Sequence, residues 1–240
     1  HELQSLCKKK GAVLIFDEMI TGFRWHNGGG QAYHNIFPDL AAFGKAMGNG
    51  FSVGALAGKR EIMNLGGLNH EDERVFLLSA THGAENHSLA AAKKVMQIYK
   101  KEPVVETLWR QGERLAAGVR KSIAENRLDD YFVVLGKPCC LIYGTRDYDK
   151  QPSQLFRTLF LQELIKHRIL APSFIVSYSH TDRDIDMTID AVNESLHIYR
   201  KALDEGIHNY LIGRPVQPVF RKYCYGDTPK LQSKRLSAVG

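Results

Sequence analysis

The chain has 240 residues, 44% of them hydrophobic and 24% charged, a balance that excludes whole-chain disorder and leaves room for one large domain with a smaller companion. No run of about 18 apolar residues occurs, so no membrane-spanning helix is expected; the opening His1-Glu2-Leu3-Gln4 lacks the basic-then-apolar order of a secretory signal, which makes the cytoplasm the expected compartment. Of the formal net charge of +6, the stretch from Arg214 onward supplies +5, because Arg214, Arg221, Lys222, Lys230, Lys234 and Arg235 face only Asp227; the body is nearly neutral, and a solvated basic tail rather than a nucleic-acid surface is expected.

Residues 1–10 read as a helix closed by Gly11, with Leu3, Leu6 and Cys7 apolar and three lysines at the end. Residues 12–16 form an unbroken apolar run of strand length, which predicts a strand buried on both faces of a parallel sheet, and the run ends on Asp17 and Glu18. A loop rich in Gly and aromatic residues follows. Residues 40–43 predict a second strand, ending on Gly44-Lys45, and residues 52–57 a third, with a short helix over 59–63.

Apolar residues then recur at helical spacing over 88–99 and 105–123, with Val105, Leu108, Leu115, Val119 and Ile123 on one face. Strands are predicted over 131–135, 139–143 and 174–178, with a helix over 155–165 among them. Thr181 opens a last helix, with Asp184 in the capping-box position and Ile185, Ile189, Val192, Leu196, Tyr199 and Leu203 as its buried stripe. The expected organisation is a sheet-bearing part over 1–103, a connecting helix and smaller α/β domain over 104–205, and a loosely structured basic tail over 206–240. Cys7, Cys139, Cys140 and Cys224 lack CxxC spacing and read as free thiols, and the histidines show no metal-ligand spacing.

A carboxylate at the carboxyl end of a buried parallel strand stands where open α/β sheets bind ligands. Partly desolvated there, Asp17 requires a cation or a strong donor opposite it. Two such partners are compatible with the residues. One is the Mg²⁺ of a bound nucleotide, with Asp17-Glu18 as a Walker B pair in a fragment of a P-loop NTPase; the other is the protonated ring nitrogen of a cofactor. No GxxxxGK[ST] is present, because Gly44-Lys45-Ala46, Gly58-Lys59-Arg60 and Gly136-Lys137-Pro138 lack the hydroxyl residue after Lys.

Lys45 stands 28 residues after Asp17, at the end of the next predicted strand, among glycines that leave room for a planar group. Burial there is expected to lower the amine's pKa and give a neutral nucleophile able to attack an aldehyde. Taken alone, Met19 reads equally as ordinary core, and Glu18 as a group that satisfies nearby backbone or an arginine.

The stretch Leu14-Ile15-Phe16-Asp17-Glu18-Met19-Ile20-Thr21-Gly22-Phe23-Arg24, followed by Pro38-Asp39-Leu40 and Phe43-Gly44-Lys45-Ala46-Met47-Gly48-Asn49-Gly50, resembles the signature of class III PLP-dependent aminotransferases. Within that family it is most similar to glutamate-1-semialdehyde 2,1-aminomutase-like proteins. The likeness continues through Gly54, Arg60-Glu61-Ile62-Met63, Phe156-Arg157-Thr158 and His180-Thr181-Asp182.

The resemblance implies a fold type I α/β enzyme, with residues 1–103 as the C-terminal portion of the large PLP-binding, parallel-sheet domain. It implies pyridoxal 5'-phosphate as cofactor, a small-molecule amino donor and acceptor, and a homodimer with shared active sites. By the matching positions, Lys45 would be the Schiff-base lysine that also shuttles the proton, Asp17 the partner of the pyridinium nitrogen, and Met19 the side chain on one ring face. Thr81 matches the threonine that reaches the phosphate of the neighbouring subunit's cofactor. The family's phosphate loop and the aromatic residue on the other ring face lie upstream of the Asp-Glu strand, so the chain is expected to be part of a longer enzyme and to bind PLP poorly without a complementing N-terminal segment. A non-catalytic relative stays open as a third reading beside the aminotransferase and the NTPase fragment.

Overall fold

The computed structural model describes residues 1–67, 70–73, 75, 83 and 85–217. Helix α1 (Glu2–Lys10) is stopped by Gly11 in the left-handed conformation, with acid in its first turn and three lysines in its last, as the helix dipole favours. Strand β1 (Ile15–Asp17) then runs parallel to β2 (Leu40–Phe43), with Asp17 opposite Ala42, and β3 (Ala55–Gly58) runs antiparallel along the far side of β2. Asp39 fastens the entry to this sheet: its carboxylate accepts the Leu14 N–H at 2.7 Å and pairs with Lys59 Nζ at 2.6 Å. The Lys59 hydrogen bond, helped by Leu14, holds the Asp39 carboxyl below the usual range.

Two expectations about this sheet are corrected. The first strand is not buried on both faces: Leu14 is buried, but Val13 and Ile15 are exposed, because β1 is the edge of a three-stranded sheet and no layer of described residues covers that side. The third strand begins at Ala55, three residues later than Ser52 would have it, and is antiparallel.

Beyond α3 (Arg60–Met63) come α4 (Asn86–Lys101) and α5 (Val104–Glu125), then the antiparallel hairpin β4 (Phe132–Lys137) and β5 (Cys140–Thr145), and the helices α6 (Gln154–Lys166) and α7 (Asp182–Glu205). One contiguous core joins them: Leu108, Leu115 and Val119 of α5 meet Phe160 and Leu164 of α6 and Val192, Leu196 and Tyr199 of α7. Gly112 is required where α5 meets the hairpin turn, since a Cβ there would overlap the Pro138 carbonyl. The α7 capping box is formed, with Thr181 and Asp184 bonding each other's backbone N–H groups, and Arg114 of α5 grips Asp186 of α7 through two bonds of 3.0 and 2.7 Å.

Residues 174–178 do not form the predicted strand. Phe174 makes one bridge to Leu141, and further on the Val176 carbonyl accepts from Arg24 rather than from a neighbouring strand. The expected loose tail is also corrected for its first residues: Ile207 is buried, Gln162 bonds the Tyr210 carbonyl and the Ile212 N–H, and Thr158 accepts from Val216 N–H. Residues 218–240, with Cys224 and most of the tail's basic residues, lie outside the described residues. Cys7, Cys139 and Cys140 are free thiols, and burial pushes Cys139 up to about 11. Among the described residues no helix is long and apolar enough to cross a membrane.

Candidate active site

The carboxyl ends of β1 and β2 lie side by side, so Asp17 and Glu18 on one strand and Lys45 just beyond the other share an edge of the sheet. The two acids have different duties. Glu18 is 2% exposed, and its carboxylate accepts from the Thr21 hydroxyl and from the N–H groups of Gly30 (2.7 Å) and Gln31 (2.8 Å). It caps the short helix α2 (Gly29–His34), whose first N–H groups have no intrahelical partner. A Walker B pair needs its second acid free to orient water; this one is committed to backbone.

Asp17 is exposed, with Oδ1 accepting the Met19 N–H at 3.0 Å. Lys45 follows Gly44 at a left-handed φ of 46°, which few side-chain-bearing residues adopt, and opens a tight turn over Lys45–Met47. Its side chain is exposed and has no hydrogen bond or ion pair among the described residues. The sequence reasoning expected burial at both positions. Asp17 lies at the end of the edge strand and Lys45 in the turn beyond the central one, and both are exposed.

Met19 lies across Gly44, where a Cβ would collide with its thioether methyl, and so stands beside Lys45. Both line a cleft of about 800 Å³, within the range of small-molecule sites. One wall is Met19, Ile20 and Arg24; the other comes from Tyr99 of α4 and, beyond Val104, from Leu108, Ile142, Ile175 and Tyr178. Asp17 is not part of the lining, and Thr81 lies outside the described residues. Among the described residues no cluster of three His, Cys, Asp or Glu could hold a metal.

The loop after β1 is fastened across this cleft. Arg24 Nη1 donates to the carbonyls of Cys139 (2.8 Å) and Val176 (3.0 Å), Tyr99 OH donates to the Phe23 carbonyl at 2.9 Å, and Trp109 Nε1 donates to the Trp25 carbonyl at 3.2 Å. Tyr33 stacks on Trp109 at 5.6 Å between centroids, with the Lys137 ammonium 5.0 Å above the Tyr33 ring. Burial raises the Tyr99 phenol above its ordinary value, which keeps it a donor.

The sequence model of the aminotransferase class-III family matches residues 1–130. The chain belongs to that family. A class-III aminotransferase chain of this kind is 35% identical over 213 residues to the glutamate-1-semialdehyde 2,1-aminomutase of Acetivibrio thermocellus, covering 84% of this chain and 47% of the relative. It is 30% identical over 204 residues to the 3-aminobutyryl-CoA aminotransferase of Cloacimonas acidaminovorans, with the same coverage of 84% and 47%. The chain thus spans about half the length of the curated relatives it matches. Among solved structures, the omega-transaminase of Sphaerobacter thermophilus superposes with a TM-score of 0.71 at 25% identity, over 83% of this chain and 47% of that one. The FumI protein of Sphingopyxis sp. MTA144, in its PLP internal aldimine form, superposes with a TM-score of 0.73 at 22% identity, over 84% and 47%. The fold is that of the PLP-dependent transaminases.

Within this class-III aminotransferase fold, sequence reasoning missed the far wall of the cleft. Ile142 and Ile175 sit in apolar runs whose alternation shows two faces, yet nothing local tells which face meets Lys45. Arg24 stood inside the recognised motif, but its partners Cys139 and Val176 lie more than a hundred residues away and left no local signal.

Proposed function

We propose that the protein is a PLP-dependent aminotransferase or aminomutase that moves an amino group between small molecules, with pyridoxal phosphate held at Lys45. One observation carries this reading: an unpartnered lysine side chain opens into a cleft of about 800 Å³ beside a strand that ends in an exposed carboxylate. The residues fit the group, since Lys45 is free to bond an aldehyde carbon and Gly44 lets the Met19 thioether lie close beside it as an apolar surface for a flat ring. Bound there, the cofactor supplies an electron sink for negative charge at the substrate's α-carbon.

This chain's residues would do the rest. The Asp17 carboxylate would stabilise a protonated ring nitrogen, as an anion does for a nearby cationic acid. The Lys45 amine would hold and return the proton at the substrate's α-carbon. Met19 would offer apolar surface to one ring face, and Thr81 would reach the phosphate bound by the neighbouring subunit. A homodimer with shared sites follows from that last role, with the cytoplasm as the proposed setting. The named relatives include both an aminotransferase and an aminomutase, and amino-group transfer is the step common to them.

Borohydride reduction of the protein at saturating PLP, followed by peptide mapping, tests this reading. A single modified lysine at position 45 is the expected result; a label elsewhere, or none, overturns it.

A further inference from the structure

Ile142 and Ile175 are large aliphatic side chains that the fold leaves exposed, at 51% and 43%, and both line the cleft that holds Lys45. Their placement follows from strand alternation. Leu141 and Tyr143 point into the core from β5, as Phe174 and Val176 do from the neighbouring extended segment, so the residues between them face outward. The Leu141–Phe174 antiparallel bridge sets Cys140 opposite Ile175 and makes Ile142 its diagonal neighbour, within reach across the same face.

The surface so formed is apolar and has no described residue on it. Val104 and Leu108 of α5 and Ile98 of α4 extend it toward the cleft floor. The polar groups on the same side are the uncharged residues Ser177, Tyr178 and Ser179, and among the described residues no Asp or Glu lines the cleft. Apart from Lys45, the one charged lining residue among those described is Arg24. Its guanidinium is drawn to the wall by two backbone carbonyls, so its charge is already partly compensated.

We infer that Ile142 and Ile175 form a subsite for the uncharged hydrophobic substituent of an amine or ketone substrate, selecting it over dicarboxylic substrates. The inference rests on Lys45 as the reacting end of the cleft. An apolar substituent on this wall gains by leaving water, whereas a carboxylate there, once the cofactor occupies Lys45, loses hydration with no free cation among the described residues to replace it.

Calorimetry with two ketones, neither of which reacts with an aldehyde, reads the subsite directly: 4-phenylbutan-2-one as the apolar probe and 2-oxoglutarate as the acidic one. Both are titrated into the PLP-treated protein, in which Lys45 no longer offers a free ammonium. The phenyl ketone is expected to bind at least about tenfold tighter, the discrimination typical of a single well-filled hydrophobic pocket. Ile142→Asn and Ile175→Asn should each remove that preference, and the milder Ile142→Thr and Ile175→Thr, which keep β-branching, should reduce it several-fold. Equal or tighter binding of 2-oxoglutarate overturns the inference, and so does a preference that survives in these variants. Failure of the Lys45 reading shows separately, as the absence of a borohydride label at position 45.

Discussion

The two halves of the described chain are built on opposite terms. From Val104 onward, helices α5, α6 and α7 and the β4–β5 hairpin close around one contiguous core, with Phe132, Phe160, Leu164, Val192, Leu196 and Tyr199 nearly or wholly out of solvent. Before Val104, the buried hydrophobic residues among those described are Leu14, Ala41, Met47 and Ala92, while Leu3, Leu6, Val13 and Ile15 face water. Yet Asp17, Met19 and Lys45, on which the chemistry depends, all belong to the sparsely packed half. Chemistry and packing are therefore separable here: substitutions in the core after Val104 should be read in stability, and substitutions of the exposed cleft residues in what the protein binds.

The largest effect should come from the packed half. Phe160→Ala removes a ring held among Phe132, Tyr143 and Phe174, and is expected to cost about 3–5 kcal/mol in urea unfolding. Ile15→Ala, on the open edge of β1, should change stability by no more than about 0.5 kcal/mol. Similar costs at both positions would break the comparison.

Alkaline titration sharpens it. Burial pushes Tyr143 up to about 12 and raises Tyr199 as well. The folded chain thus holds these protons more tightly than the unfolded one. Their contribution is complete below a pH of about 10, the ordinary value for a tyrosine, and is lost as pH rises from there through about 12. Tyr143 alone should account for about 2–3 kcal/mol of that loss. Tyr143→Phe should flatten the decline in thermal melts across that window, and an unchanged slope would contradict the assignment.

Glu18→Ala is expected to cost about 1–3 kcal/mol, because it strips the acceptor from the Gly30 and Gln31 N–H groups. Hydrogen exchange should speed up in α2 and leave α7 unchanged. The smallest stability effect belongs to Lys45→Ala, within about 0.5 kcal/mol, although it should abolish the PLP label. Equal labelling of the variant would show that another lysine carries the cofactor.

What could be read in advance follows the same division. The stripe Ile185, Val192, Leu196 and Tyr199 and the Thr181–Asp184 cap were legible because each is set by spacing within a single helix. So was the parallel pairing that puts Asp17 and Lys45 at one sheet edge, since two short apolar runs ending in polar groups carry it. The exposure of Lys45 was not legible, because it depends on which layers cover the sheet rather than on local residues. The strand predicted over 174–178 failed for a related reason: a carbonyl that a ladder would have used is taken by Arg24, a partner 152 positions away. Glu18 was weighed only in general terms, and its capping of α2 became visible once the loop had brought Gly30 back to it.

The most direct test is a crystal structure of the protein soaked with pyridoxal phosphate. Electron density continuous from Lys45 Nζ to the cofactor, with the ring against Met19 and its nitrogen toward Asp17, is the predicted result. Density joined to a different lysine, or a ring turned away from the end of β1, would contradict the account.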